Sequence, residues 1–384
     1  MHISSRFKLT IIFSLLLVFV VGLTLRSFGS TPTHAAKVTH GWRIVASPLV
    51  NGGVLRAVAA VSATNVWAVG TTNSSTLIEH YSGKQWSVVA NPNAGAWELN
   101  AVKAISTTNI WAVGNSTSNG SALIEHYNGT QWGSVISPLP SDGYSTYTLT
   151  GMTVLSASNI WASGYSSTNE GDQTLIEHYN GIQWSVIPTF TYNYNTFSMF
   201  NAINAASAND VWAVGSSWDA TDDSGNQSTL IEHWDGFQWS VISSPSPGND
   251  DWLNAVIAVS STDVKAVGAV STNSYALAEH WDGTQWTYAS PPNGGFTANY
   301  LNGEIVFATN NAWAVGGYSN ANPYTVKPLI EHWDGVHWTI IANPGTSSSY
   351  SELLGISKVP NTTTLWAVGD LYNNGYQPLI EFYS

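Results

Sequence analysis

The sequence predicts an all-β protein: a seven-bladed β-propeller of four-stranded antiparallel blades, its ring closed by the N-terminal strand pairing in the last blade. Three observations predict it. A Trp-Ala-Val-Gly string recurs seven times, with small variations, at a mean spacing of about 50 residues. Around each occurrence lie three further short segments rich in Val, Ile, Trp and Tyr, separated by turn residues. The last repeat is one segment short, and a matching segment stands at the other end of the chain.

The string occurs at Trp67–Gly70, Trp111–Gly114, Trp212–Gly215, Trp313–Gly316 and Trp366–Gly369. Trp161–Gly164 varies it with Ser163, and Lys265–Gly268 replaces the tryptophan. Ahead of each lies an apolar run such as Leu55–Val61 or Leu99–Ile105, joined to it by a short Ser/Thr/Asn/Asp turn. A Leu-Ile-Glu-His-Tyr/Trp string follows, starting at Leu77, Leu123, Leu175, Leu230, Leu277, Leu329 and Leu379, with variations in the last blades. A Gly-x-x-Trp segment comes fourth, at Trp86, Trp132, Trp184, Trp239, Trp286 and Trp338. The intervening Asn128-Gly129, Asn180-Gly181, Asp235-Gly236, Asp282-Gly283 and Asp334-Gly335 predict tight type I′ hairpins. A four-stranded sheet of about 50 residues cannot cover both its faces alone, so the repeats stack as blades of one domain. The chain stops at Glu381-Phe382-Tyr383-Ser384 without a fourth segment, whereas Trp42–Pro48 matches Trp86–Pro92. Pairing these ends removes two open sheet edges.

Composition narrows the function classes. Charged residues make up 9% of the chain, against roughly 25% in ordinary domains, and Ser, Thr, Asn and Gly supply the polar surface. Lys plus Arg number 11 against 24 acids, and three of the bases (Arg6, Lys8, Arg26) precede residue 30. The remaining chain has no electrostatic footprint for nucleic acid or an anionic membrane surface. Cys is absent, which excludes disulfides, thiolate metal sites and Cys nucleophiles. Residues 1–36 read as a signal peptide: Arg6 and Lys8, the apolar run Leu9–Leu25, and small residues for cleavage near Ala35-Ala36. The alternative is an uncleaved anchor, although the run is slightly short for a spanning helix. Residues 37–384 are then a single secreted propeller domain, expected to be a monomer.

On these strings the repeats resemble those of tectonin- and kelch-like propellers, which also place one Trp early in the second strand and another in the fourth. The resemblance covers about residues 40–384. Only Gly316-Gly317 matches the kelch Gly-Gly pair, and sialidase Asp-boxes and WD dipeptides are missing. The resemblance implies the fold, and fold alone does not give activity.

The six Glu-His pairs, from Glu79-His80 to Glu331-His332, look like acid–base chemistry, but a catalytic pair is needed only once. Neighbouring strand residues also point to opposite faces. These pairs are expected to staple blades through hydrogen bonds to backbone or Trp N–H groups, with the repeated Trp residues packing between blades. Lys265 is expected to reach solvent with its amine. Asp219–Asn226, reading DATDDSGN, carries oxygen ligands but lacks EF-hand spacing, so no metal site is assigned and no cofactor is implied.

Function is expected on the face where the second-to-third and blade-to-blade connections open, since those segments vary while the opposite turns stay short. They are rich in aromatics and acids. The candidate ligand-binding residues are Trp97, Tyr147, Tyr192, Tyr194, Trp218, Asp222, Asp223, Asp250, Asp251, Trp252, Tyr300 and Tyr324; Tyr350, Tyr372 and Tyr376 lie in the same segments. Flat rings stack on C–H faces, while carboxylates and amides bond hydroxyls. The reading is a secreted, non-catalytic propeller that binds extracellular carbohydrate or a protein surface. One alternative is a polysaccharide-active hydrolase or lyase using carboxylates such as Asp222, Asp250 and Asp251. The other is a structural or adhesion protein of the cell surface.

Overall fold

Val, Ile, Trp and Tyr alternate with small residues through each repeat, and this pattern forms strands because a branched or aromatic side chain packs well on a pleated surface. The protein is described here by a computed structural model. It describes residues 41–384 except 74, 93, 94, 96, 117–119, 140–145, 169, 170, 191–195, 220, 222–225, 272–274, 322 and 323. The expected leader, 1–36, lies outside the described residues. The described chain forms 28 strands and no helix. Blade 1 comprises Val54–Ser62, Asn65–Thr71, Thr76–Tyr81 and Trp86–Val88, paired antiparallel in that order. Blades 2 to 6 repeat it over 97–135, 146–186, 196–241, 251–289 and 298–340. Blade 7 contributes Tyr350–Lys358, Leu365–Tyr372 and Tyr376–Tyr383, and its fourth strand is Trp42–Ile44 from the N-terminal end. Trp42 stands opposite Tyr383, Arg43 opposite Phe382 and Ile44 opposite Glu381, which is the expected closure.

The core lies between blades. Trp67 stacks on His80 of its own blade at 4.2 Å and meets Trp132 of the next blade edge-on at 5.6 Å. The same arrangement recurs around Trp111, Trp161 and Trp212. At the closure, Trp42 supplies the missing outer tryptophan to Trp313 at 6.1 Å. The repeat glycine is set by close approach. Each inner strand carries a bulge after Leu55 or its counterpart, and a Cβ on Gly70 would lie 1.9 Å from the Val54 carbonyl oxygen.

Two expectations need correction. The third-to-fourth turns are not type I′. Gly129 has φ of 96°, but Asn128 does not share the positive φ that a type I′ turn demands. Instead, Asn128 Oδ1 accepts the N–H groups of Thr130 and Gln131, so a side chain organises a four-residue loop. The Glu-His pairs do staple the blades, but not through indole N–H groups. Each His bonds the Asn or Asp that opens its blade's second strand, as His80 Nε2 does with Asn65 Oδ1 at 3.1 Å. The Glu side chain crosses to the preceding blade. Ser47 bonds Glu79, Asn91 bonds Glu125, Ser137 bonds Glu177 and Asn343 bonds Glu381. These donors sit five residues after the outer-strand tryptophan, where the chain leaves the sheet and its side chains can face the next blade.

Candidate functional site at the channel mouth

The first strand of every blade is the innermost, and together they wall a narrow central channel of about 150 Å³. The bulge turns one extra side chain per strand into it. These are Arg56, Asn100, Thr150, Asn201, Asn254, Asn302 and Leu354. Five of them form a belt. Asn100, Thr150, Asn201, Asn254 and Asn302 donate to the carbonyls of Leu149, Phe200, Leu253, Leu301 and Leu353 in the following blades, at 2.7–3.0 Å. The belt breaks between blades 7, 1 and 2. Leu354 has no donor there, and Arg56 turns its guanidinium to Glu98 at 3.0 Å.

A polar and aromatic cluster lies beside this break, on blades 6 and 7, on the face where the variable loops open. Glu352 lies near the start of the inner strand of blade 7, and Asp370 is its cross-strand partner. Tyr300 and Tyr350 donate their hydroxyls to the two Glu352 oxygens, at 2.7 and 2.5 Å. Burial and the adjacent Glu352 push both phenols well above the ordinary tyrosine range, so they stay neutral donors. Asp370 is 2% exposed and one of its oxygens has no partner. Burial, then the Glu352 charge, pushes its carboxyl up to about 7 against the opposing pull of Arg56. Tyr376 stands edge-on to Tyr350 at 5.9 Å and to Tyr372 at 5.4 Å. Tyr324, Tyr372 and Tyr376 are exposed around the carboxyl pair, Tyr324 by 71%.

The candidate residues divide. Tyr300 and Tyr324 belong to this cluster. Tyr147 is buried in the core between blades 2 and 3, and Trp97 packs against the core between blades 1 and 2. Trp218 spends its face on Phe197, stacked at 4.7 Å. Trp252 is half-buried in the inner strand of blade 5. Asp251 is fully buried and accepts Ser246 Oγ and the Gly248 N–H, while Asp250 accepts the Gln227 N–H. They hold the loop before blade 5. Tyr192, Tyr194, Asp222 and Asp223 lie outside the described residues, as does most of the DATDDSGN segment. Lys265 is a correction: its amine does not reach solvent but is bonded to Asp263, with 6% of the residue exposed. Among the described residues no group of three His, Asp or Glu could hold a metal, and no helix is long and apolar enough to cross a membrane.

Sequence reasoning missed Glu352, Asp370, Arg56 and Glu98. It looked to loops, whereas these four belong to strand ends, beside the repeat leucine or glycine. One of them was readable: Arg56 occupies a position where four other repeats have Asn.

No family model matches the chain, and no curated protein does. Solved structures match the fold. YCF48 from Cyanidioschyzon merolae is 13% identical, covering 89% of this chain and 98% of that one, with a TM-score of 0.56. YCF48 bound to a D1 peptide matches equally, at 0.56. A family 25 polysaccharide lyase, an ulvan lyase bound to a GlcA–Rha3S oligosaccharide, is 9% identical, covering 88% of this chain and 95% of that one at 0.57. The class is therefore a β-propeller. Likeness at these identities shows the fold alone, and such propellers include a peptide binder and a polysaccharide lyase.

Proposed function

We propose that this protein is an exported propeller that binds carbohydrate, without turning it over, at the channel mouth between blades 6, 7 and 1. The observation that carries the reading is the set of tyrosines, Tyr324, Tyr372 and Tyr376, standing exposed around the Glu352–Asp370 pair. Tyrosine faces suit the C–H faces of a sugar ring, and the hydroxyls of these exposed tyrosines suit its hydroxyls. Arg56 is matched by Glu98, so the mouth carries no surplus positive charge for an anionic glycan.

A second reading is hydrolysis, and one observation favours it. Asp370, pushed up to about 7 and so about half protonated at neutral pH, neighbours a carboxylate fixed by two phenols. Cross-strand Cβ atoms lie about 4.5–5.5 Å apart, within reach of the roughly 5–5.5 Å carboxyl separation of retaining glycosidases.

The test is a glycan array with a reducing-sugar assay on residues 37–384. Retained glycan, no released ends, and a roughly three- to tenfold weaker Tyr376→Ala variant are expected. Released ends that vanish in Asp370→Asn and Glu352→Gln would instead establish the hydrolase. Retention indifferent to Tyr376→Ala overturns the binding reading at this site, and neither retained glycan nor released ends overturns both.

A further inference from the structure

Six of the seven seams between blades are filled by the repeat tryptophan. The seam between blades 5 and 6 is not, because Lys265 stands in its place. A cavity of about 300 Å³ lies there. Its walls are the residues that elsewhere enclose the indole. His280 corresponds to His80, which stacks on Trp67, while Trp333 and Trp338 correspond to Tyr127 and Trp132 across the seam. A second departure faces the same space. Glu304 on blade 6 replaces the Val, Met or Ile found at Val58, Val102, Met152, Ile203, Val256 and Ile356.

Glu304 is 5% exposed, and neither carboxyl oxygen has a hydrogen-bond partner. The nearby ammonium does not serve it. Lys265 is bonded to Asp263, which also takes His280 at 3.0 Å. A buried carboxyl without a donor is costly. The seam thus combines an indole-shaped vacancy, aromatic walls and an acid that lacks a donor. It reaches solvent at the rim of the disc, where Tyr288 and Gly335 are exposed.

We propose that this seam binds a planar aromatic cation of about indole size, its ring between His280 and the Trp333–Trp338 pair and its ammonium on Glu304. An apolar cavity of roughly 150 Å³ already accepts benzene, so a bicyclic amine fits the space. The indole faces add cation–π attraction. The charged and titratable groups lining the cavity are Lys265, Glu279, His280, Tyr288 and Glu304, with Asp263 bonded to Lys265 and His280 beside it. Burial, then Asp251, pushes the Glu279 carboxyl up to about 9, so it stays mostly protonated between pH 6 and pH 8 and Glu304 is the acid that titrates there. Burial pushes the Glu304 carboxyl up to about 8, so binding a cation at neutral pH releases its proton.

The test is calorimetry of residues 37–384 with tryptamine. One site is expected, tightening roughly tenfold or more from pH 6 to pH 8, with proton release visible as a buffer-dependent heat. Lys265→Trp fills the vacancy and should abolish binding. Glu304→Gln keeps the vacancy and should weaken tryptamine and erase the pH dependence, leaving uncharged indole unaffected. Melting curves check that both variants fold, and either one alone decides the matter. Failure of tryptamine to bind, undiminished binding to Lys265→Trp, or a surviving pH dependence in Glu304→Gln overturns the proposal.

Discussion

Replacing Glu331 by Gln should change stability by an amount that depends on pH, and the dependence can be worked out in advance. Glu331 is fully buried, and neither of its carboxyl oxygens has a partner. Its counterparts Glu79, Glu125, Glu177 and Glu381 each accept a Ser or Asn side chain from the preceding blade. The residue at that place for Glu331 is Pro291, which has no side-chain donor. Burial accordingly pushes Glu331 from 4.5 up to about 8. The sign follows from proton counting. Between those two values the folded state holds the proton and the unfolded chain does not, so the group's contribution is whole below pH 4.5 and is lost as pH rises. One pH unit is worth about 1.4 kcal/mol, so about 3 kcal/mol is lost between pH 4.5 and pH 7. Gln has nearly the same shape and does not ionise. Its fixed cost cancels when the variant is compared with the parent at the two pH values. Urea unfolding should therefore find Glu331→Gln better off, relative to the parent, by about 3 kcal/mol at pH 7 compared with pH 4.5. A difference between the two pH values below about 0.5 kcal/mol, within the spread of such extrapolations, would refute the reasoning. It would mean that Glu331 is ionised in the fold and satisfied by a group other than those around it here.

Two further perturbations test how the ring is held. Asn201→Ala removes the 2.9 Å bond to the Leu253 carbonyl and should lower the unfolding free energy by about 1–3 kcal/mol, whereas Leu354→Asn, which offers the missing donor to blade 1, should raise it by about 1 kcal/mol; equal effects in urea titrations would argue against the belt. Removing Trp42–Pro48 takes away the strand that pairs with Tyr383, Phe382 and Glu381 and should produce a chain that aggregates in size-exclusion chromatography; a monomer melting with the parent would contradict the role of closure.

The blade count, the strand order and the closing strand were legible because each repeat is one supersecondary unit whose strings recur at fixed offsets. Trp42–Pro48 reads as a displaced fourth strand on identity of pattern alone, and the pairing with 381–383 follows. The turn geometry was misread. Asn-Gly suggests type I′, but the Gln that follows in Asn128–Gln131 extends the loop to four residues and lets Asn128 organise it through its side chain. The inter-blade contacts were illegible for a different reason. Asn201 looks like a stray polar residue in an apolar run, and only the bulge turns it into the channel, toward a carbonyl of the next blade. The Asn343–Glu381 cap joins residues from two blades, so nothing local announces it. The channel-mouth cluster was found in part: Tyr300 and Tyr324 were singled out, but Glu352 and Asp370 were not, because a carboxylate in a strand end reads as edge polarity until the fold places it among tyrosines.

Sevenfold repetition supplies an internal control that most folds lack. Where the consensus puts an indole, a capped glutamate or a belt asparagine, the local cost of folding is met in the same way each time. Most of the chain's departures from that consensus fall on one arc. Lys265 and Glu304 meet at the seam of blades 5 and 6, Pro291 leaves Glu331 uncapped in the same pair of blades, and Leu354 and Arg56 break the belt where blades 7 and 1 adjoin. A buried acid without a donor works against stability, and proteins break local rules chiefly where function requires it. Blades 2 to 4 keep a side-chain donor at the belt (Thr150 standing in for asparagine in blade 3) and the tryptophan at the seams, and they serve as the rigid frame. The two sites proposed above both fall on this arc, from blade 5 through blade 7 to blade 1. Substitutions that repair the consensus there, such as Lys265→Trp, should raise stability and remove binding together, whereas loss of the seam tryptophan from blade 2 or 3 should only destabilise.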